Sequence, residues 1–289
     1  MLYFKKVILW FTLFIIKIMK TIKWLWIQIK TEDFINYIKE INFEKKEIAI
    51  LANGPSLLKD LNNFNDIKNK ELCVVNNFST SEYFEKLKPR IYVLTDPSYF
   101  MDNIRLKVDE DAWKKIKDVS WNIYLFIPFY AFKLLKKRND TILFNSNIHI
   151  VPFHVNEYNG FDLLNNFLYD NSLTMPKPQN VLIPCIFNAI NLHFSKIYLL
   201  GVDHTWTEKL CVDNYNRVCF RNEHFYDNNL TQYEPFLDIY GKQYKMHQIL
   251  YDFSLMFKGY STLNKYASKK GVKILNLTKD SFIDTFERN

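Results

Sequence analysis

Four short polar segments of the sequence carry residue types that could bind a phosphorylated ligand or move a proton. They are Asn53-Gly54-Pro55-Ser56, Asn76-Asn77, Asp96-Pro97-Ser98 and Asp203-His204-Thr205. Each segment follows an apolar run that is typical of a buried strand. Because ligands bind beyond the carboxyl ends of the strands in a parallel α/β sheet, we expect the four segments to form one cleft.

The first segment has the composition of a phosphate-binding turn. Gly54 lets the backbone approach a ligand closely, and a helix beginning at Leu57 would offer free N–H groups to an anion. Asn53 and Ser56 add neutral donors, and Ser56 also suits the N-cap of that helix. The same residues suit an ordinary turn. The segment matches neither G-x-G-x-x-G nor a P-loop, so no motif indicates a nicotinamide cofactor or ATP.

The second and third segments suit a nucleoside. The Asn76 and Asn77 amides could bond base edges or ribose, and Asp96 and Ser98 could bond hydroxyl groups. Turns at strand ends are the alternative interpretation of both segments.

Two histidines are candidates for a general base. His204 could be oriented by Asp203, and His247 could also titrate near neutral pH. A hydrogen-bonded turn and a surface histidine are the respective alternatives. No metal site is predicted and no cofactor is expected, because metal-ligand spacing is absent among the remaining histidines, His149, His154, His193 and His224.

These segments need a sheet to position them. Apolar runs predict strands at 47–53, 72–76, 91–95, 122–127, 148–153, 196–200 and 272–276. Helical patterns lie at 31–46, from 57, at 181–194, at 243–268 and at 281–286. Lys59 and Asp60 are expected on the exposed side of the second helix, and Gly259 could break the helix at 243–268. Strands alternating with helices predict a single α/β domain at 47–289, with a doubly wound, mostly parallel sheet and a loop-rich lid at about 204–242.

Residues 1–46 are predicted to be a membrane-surface helix with its connector. The first thirty residues contain six lysines and no acidic residue, whereas the rest of the chain is close to neutral. This asymmetry favours an anionic membrane over nucleic acid. The apolar run at 7–16 is half the roughly 20 residues that span a bilayer, and no signal-peptidase site follows it. Packing on the domain and a short spanning anchor are the alternatives.

The four cysteines form no C-x-x-C pair, and Cys73 and Cys185 lie in apolar runs, which indicates buried free thiols. Free thiols fit a reducing compartment. Together with the basic first helix, they predict a peripheral protein on the cytoplasmic face of the inner membrane.

Several segments resemble the bacterial sialyltransferases of glycosyltransferase family 42 and the related hydroxymethylpterin pyrophosphokinase-like proteins. The resemblance rests on IAILANGPSL at 48–57, VVNNF at 74–78, YVLTDPS at 92–98, KIYLLGVD at 196–203 and KILNL at 273–277. It implies a sialyltransferase-like, Rossmann-type fold and a metal-independent transfer of sugar from a CMP-sugar to lipopolysaccharide, capsule or a lipid-linked glycan.

By position in the family pattern, Asn53, Gly54 and Ser56 would meet the donor phosphate and ribose, and Asn76 the nucleotide. His247 is the nearest match to the family's catalytic histidine. Asp96 stands where the family has Asn, and Asn180-Val181-Leu182 stands where it has Thr-Ser-Gly. The sugar is therefore open between sialic acid, another nonulosonic acid and a Kdo-like sugar. A pterin pyrophosphokinase-like enzyme and a non-catalytic membrane-associated scaffold are the alternative functions.

Overall fold

A computed structural model describes residues 2–31, 38, 41–101, 107–222, 232–238 and 241–288. Its helices are α1 (Leu2–Thr31), α2 (Leu57–Asn63), α3 (Tyr83–Leu87), α4 (Lys107–Lys117), α5 (Phe129–Arg138), α6 (Asp162–Asp170), α7 (Leu182–Asn191) and α8 (Met246–Lys269). Its strands are β1 (Glu47–Leu51), β2 (Glu71–Val75), β3 (Ile91–Val93), β4 (Ile123–Pro128), β5 (Ile148–Phe153), β6 (Lys196–Leu200), β7 (Leu210–Val212), β8 (Val218–Asn222), β9 (Gln232–Pro235), β10 (Lys273–Asn276) and β11 (Glu287–Arg288).

Eight strands form one parallel sheet in the order β11-β10-β6-β1-β2-β3-β4-β5. The chain starts at β1, moves outward to β5, and then returns to place β6 on the other side of β1. The direction of winding therefore reverses between β1 and β6, which is where ligands bind in open α/β sheets. The predicted doubly wound α/β fold is confirmed.

Alternating side chains in the strands build two core layers. In β1, Ile48 and Ile50 belong to the layer that α7 and α8 cover, whereas Ala49 and Leu51 belong to the layer that α2 to α5 cover. All four side chains are essentially inaccessible to solvent. This burial on both faces explains why the strands read as continuous apolar runs.

Three secondary-structure predictions are corrected. Residues 281–286 do not form a helix, because Ile283 and Phe286 are buried against the main core and the chain continues into β11 beside β10. The segment predicted as a loop-rich lid contains the antiparallel sheet β7-β8-β9. Helix α8 runs unbroken through Gly259, whose missing side chain leaves room for Ile183 of α7: a Cβ there would lie 2.7 Å from Ile183 Cδ1.

The predicted first helix is present as α1. Of the predicted helical connector at 31–46, residues 32–37 and 39–40 fall outside the described residues, and residues 41–46 are not helical, because the chain there leads directly into β1. The later half of α1 packs on the domain, where Thr21 Oγ1 lies 2.8 Å from the Tyr158 hydroxyl and Trp24 stacks edge-to-face on Tyr158. Residues 6–16 are solvent-exposed around the circumference of the helix, with Trp10 65% exposed. Within the described residues, no helix combines the length and the apolarity needed to cross a bilayer.

Candidate functional site

A cavity of 670 Å³ opens at the carboxyl ends of β1, β2, β3 and β6. It spans the point between β1 and β6 where the sheet reverses direction. Among the residues predicted from the sequence, those that line it are Asn53, Gly54, Pro55, Asn76, Asp96, Asn180, Asp203 and His204. The structure thus brings together residues from all four polar segments and from the turn before α7.

Gly54 lies at the closest approach of the two central strands. The backbone continues the pairing beyond the strands, since Gly54 N donates to the Gly201 carbonyl at 2.9 Å. A Cβ on Gly54 would lie 1.9 Å from Asp203 Oδ2 and 2.3 Å from the Gly201 oxygen. Glycine is therefore required here because there is no space for a side chain.

Ser56 does not cap α2 and does not line the cavity. Its hydroxyl lies 2.9 Å from Asp203 Oδ2, to which it donates, and its backbone has helical angles at the N-cap position. The side chain thus holds the Asp203 carboxylate, which is a positioning function that its place in the sequence did not suggest.

Asp60 was predicted on the exposed side of α2, and this prediction is wrong. Its side chain is only 6% exposed. Asp60 Oδ2 accepts hydrogen bonds from Gly201 N at 2.8 Å and from Thr278 Oγ1 at 2.6 Å. A buried carboxylate that accepts several donors ties α2, the end of β6 and the segment after β10 together beneath the cavity.

The two adjacent asparagines have different surroundings. Asn76 lines the cavity in a left-handed conformation with φ of +49°, which asparagine tolerates better than most residues. Asn77 is not part of the lining, and its Oδ1 accepts a hydrogen bond from the Tyr99 hydroxyl at 2.7 Å. Asn53 Nδ2 donates to the Val75 carbonyl at 3.1 Å, which fixes the end of β1 to the end of β2.

Asp96 is exposed at the cavity wall, where its Oδ1 accepts a hydrogen bond from Ser98 N at 2.9 Å. Ser98 contributes this backbone group and is not itself part of the lining. Tyr130 lies nearby, and burial together with the Asp96 charge raises the pKa of its phenol to about 12. Asp96 is therefore a carboxylate facing an uncharged phenol across a water-accessible wall.

His204 forms the floor of the cavity as a buried, neutral imidazole. It is 7% exposed, and burial lowers the pKa of its ring to about 4, against a smaller opposing effect of a hydrogen bond to the Val202 backbone. Its Nε2 lies 2.6 Å from the Tyr260 hydroxyl and 3.1 Å from Asn180 Nδ2. With one ring nitrogen bonded to the backbone, Nε2 is the acceptor nitrogen and takes its hydrogen bond from the Tyr260 hydroxyl.

The predicted pairing of Asp203 with His204 does not form. Asp203 bonds to Ser56, and His204 bonds to the Val202 backbone, Tyr260 and Asn180. The side chains diverge because His204 adopts a left-handed backbone with φ of +57°. Asn180, the third member of the floor, also donates to the Tyr260 hydroxyl at 2.6 Å.

His247 does not line the cavity. It lies in the first turn of α8, and its side chain is exposed. His224 lies outside the described residues. Among those that are described, no three His, Cys, Asp or Glu side chains form a group that could hold a metal ion.

Trp206 and Lys209 are among the cavity residues that were not foreseen from the sequence. Trp206 is 39% exposed and stacks on Phe253, while Lys209 brings an ammonium group that pairs with no acid in the described part of the chain. Both belong to a 3₁₀ turn at Thr205–Lys209 that follows β6. Only their position could have indicated that they line the cavity, since both lie shortly after Asp203-His204 in the sequence.

Comparison with known protein families found no model that matches the chain, and comparison with curated proteins found no match. The resemblance to glycosyltransferase family 42 therefore stays a prediction.

Proposed function

We propose that this chain is a glycosyltransferase that moves a sugar from a CMP-sugar to a surface-glycan acceptor. The observation that carries the proposal is the cavity at the reversal point of the sheet, into which four separated polar segments converge. Its volume lies within the range of about 300–1,000 Å³ that is usual for small-molecule sites. The choice of CMP and of a sialic acid-like sugar comes from the family resemblance alone.

The donor would lie across the ends of β1 and β2. Asn53 and Asn76 offer amide groups to the nucleoside, and Gly54 lets a ligand reach the backbone. Lys209 supplies positive charge for a phosphate at the same cavity, since its ammonium forms no ion pair with a described residue. Asp96 is left to accept hydrogen bonds from hydroxyl groups.

The proton of the acceptor hydroxyl would pass to Asp203. The Ser56 hydroxyl holds one of its oxygens, and within the described structure Oδ1 carries no hydrogen bond. His204 is a poorer candidate for the base, because it is buried and its Nε2 already accepts from the Tyr260 hydroxyl. As the hydroxyl loses its proton to Asp203, its oxygen would bond to the sugar carbon and the CMP phosphate would leave with the electron pair.

Donor binding is tested by thermal unfolding with CMP, UMP, GMP and AMP. We expect CMP at roughly a hundredfold excess over its Kd to raise the Tm by about 5 °C. Asn76→Asp and Asn77→Asp form a matched pair, because they add the same charge at adjacent positions. Only Asn76→Asp should abolish the shift. A Tm that no nucleotide raises would refute the proposed donor site.

The base assignment is tested by transfer assays on single variants. Asp203→Asn should keep the CMP shift and lose transfer by about 10²-fold or more. His247→Ala should transfer sugar at the wild-type rate because His247 lies outside the cavity. Loss of transfer in His247→Ala, with Asp203→Asn active, would overturn the assignment.

The same proposal places the protein on an anionic membrane surface through residues 1–30. The support is six lysines without an acid and the apolar side chains exposed on the first half of α1. Deleting residues 2–16 removes most of that apolar surface and leaves the packed half of α1 in place. This variant should move to the soluble fraction with an unchanged Tm, and recovery in the membrane fraction would contradict the attachment.

A further inference from the structure

Helix α6 turns three apolar side chains to solvent. Leu163 is 91% exposed, Phe167 62% and Leu164 41%. At 3.6 residues per turn, the three fall within an arc of about 100° on one side of the helix. Leu168 and Tyr169, which are buried and hold α6 on the domain, lie outside this arc. A helix that packs one side on a domain normally presents polar residues on the other, so adjacent exposed apolar side chains indicate a partner.

The half of α1 that packs on the domain carries a second exposed apolar stripe. Its six members are between 37% and 66% exposed: Ile18, Met19, Ile22, Leu25, Trp26 and Ile29. Their spacing places them within an arc of about 120°. Thr21 and Trp24, which pack on the domain, lie to one side of the stripe, and the exposed Lys20 and Lys23 lie to the other. An apolar side beside a basic side is typical of a helix that lies in a membrane interface.

Helices α1 and α6 lie side by side and run in the same direction. Lys17 Nζ lies 2.9 Å from Oδ2 of Asp162, the first residue of α6. Further along both helices, Trp24 and Leu168 belong to one buried cluster. Later residues of α1 therefore meet later residues of α6, and the two sets of exposed apolar side chains are neighbours on the surface of the protein.

The charge around these side chains favours an anionic bilayer over a second copy of the chain. Residues 1–30 contain six lysines and no acidic residue. Two copies joined through this surface would bring their lysines together, whereas an anionic bilayer neutralises them. Asp162 does not oppose this attraction, because Lys17 already pairs with it. Trp10 and Trp26 are 65% and 60% exposed, and indole rings prefer the depth of the lipid headgroups.

We propose that α6 is a second membrane-binding element, whose Leu163, Leu164 and Phe167 enter the interface of an anionic bilayer beside the apolar stripe of α1. The inference rests on the proposed membrane attachment, which it extends from residues 1–30 to a helix of the α/β domain.

A second contact gives the domain a fixed orientation on the membrane. Attachment through α1 alone leaves the domain free to rotate about the axis of that helix, and a contact through α6 stops this rotation. The segment after β5 lines the cavity at Val155 and leads directly into α6. The cavity would therefore be held close to the lipid surface, which suits an acceptor that is itself lipid-linked.

The test measures co-flotation of the full-length protein with vesicles of phosphatidylglycerol and phosphatidylcholine in equal parts. Leu163→Gln removes apolar surface from α6, and Leu250→Gln makes the same change at an exposed position of α8. We expect Leu163→Gln to weaken partition about tenfold, because one leucine side chain no longer leaves water. Leu250→Gln should partition as the wild type does. Both variants should keep the wild-type Tm, because both side chains are exposed in the folded protein.

A fluorescent probe supplies the second arm. Leu163→Cys and Leu250→Cys are labelled with nitrobenzoxadiazole and mixed with vesicles whose acyl chains carry a nitroxide quencher. Labelled wild type gives the background from the partly exposed Cys211. We expect quenching above this background at position 163 and none at position 250. A probe at position 163 that is not quenched would overturn the contact of α6 with lipid.

These outcomes are distinguishable from failure of the membrane attachment itself. If the wild-type protein does not float with the vesicles, both the attachment and the α6 contact are refuted, while CMP binding is unaffected. If the wild type floats and Leu163→Gln floats equally well, only the α6 contact is refuted. A wild type that is dimeric by light scattering without lipid, and a Leu163→Gln variant that is monomeric, would show that a second copy covers α6 and would overturn the bilayer as its partner.

Discussion

His204 makes the stability of the protein depend on pH in a defined direction. Its imidazole is neutral in the folded state, with a pKa of about 4 instead of the 6.5 of an exposed histidine. Below the unfolded pKa, the unfolded chain therefore binds a proton that the folded chain excludes. The stability that this histidine contributes is fully present above about pH 6.5 and is lost as the pH falls towards 4.

The magnitude follows from the two pKa values. Between about pH 7 and about pH 5, the linkage relation gives a loss of about 2 kcal/mol in the free energy of unfolding from this group alone. Such a loss is a large part of the 5–15 kcal/mol that is typical of folded domains. The cause is the burial of the ring, which removes water from the charged imidazolium, while Nε2 already accepts from the Tyr260 hydroxyl.

The assay compares urea unfolding of the wild type with His204→Asn at both pH values. Asparagine suits the position because φ is +57°, and asparagine tolerates this left-handed region. Other histidines and carboxylates titrate equally in both proteins, so the difference in slope isolates His204. The wild type should lose about 2 kcal/mol more than the variant. Equal losses would show that His204 is not a buried, neutral hydrogen-bond acceptor and would refute the description of the cavity floor.

Three further substitutions test the packing around the site. Gly54→Ala places a Cβ 1.9 Å from Asp203 Oδ2. We expect this variant to lose about 1–3 kcal/mol in the free energy of unfolding and to lose the rise in Tm with CMP. A variant with the wild-type Tm and the wild-type response to CMP would contradict this. Asp60→Ala leaves Gly201 N and Thr278 Oγ1 without their acceptor. It should lower the free energy of unfolding, measured in urea, by about 3 kcal/mol, whereas the control Lys59→Ala should not. Gly259→Ala should have a free energy of unfolding within about 1 kcal/mol of the wild type, because the better helix propensity of alanine offsets a close contact with the movable Ile183 Cδ1. A larger loss would show that α7 and α8 pack rigidly there.

The sheet could be predicted because its strands are recognisable as apolar runs in the sequence. Strands such as β1 and β6 are covered on both faces, so their residues are uniformly apolar and end abruptly at polar segments. The alternation of predicted strands and helices indicated a doubly wound sheet, but it did not show that the reversal lies between β1 and β6. The order itself depends on which strand returns beside β1, and hydrogen bonds such as Gly54 N to the Gly201 carbonyl decide this between residues far apart in sequence.

The parts that could not be predicted have local patterns that tertiary contacts override. Phe282, Ile283 and Phe286 have helical spacing, yet the segment is not helical, because Ser281 Oγ bonds to the Val202 carbonyl and β11 pairs with β10. Asp60 had the appearance of a surface residue of a short helix. Its burial depends on Thr278, more than two hundred residues away, which contributes the hydroxyl that makes a buried carboxylate tolerable.

Side-chain direction is the further limit, and it decides which residues of the candidate site can act. Asn76 and Asn77 are adjacent and chemically identical, but only the first lines the cavity, because Tyr99 binds the second. Asp203 and His204 are adjacent as well, and their backbone angles send one to Ser56 and the other to Tyr260. The sequence places all four at strand ends. Partners in other strands and helices decide which of the four line the cavity and which hold it in shape. We therefore propose Asp203 as the proton acceptor on the basis of its contacts and not of its motif.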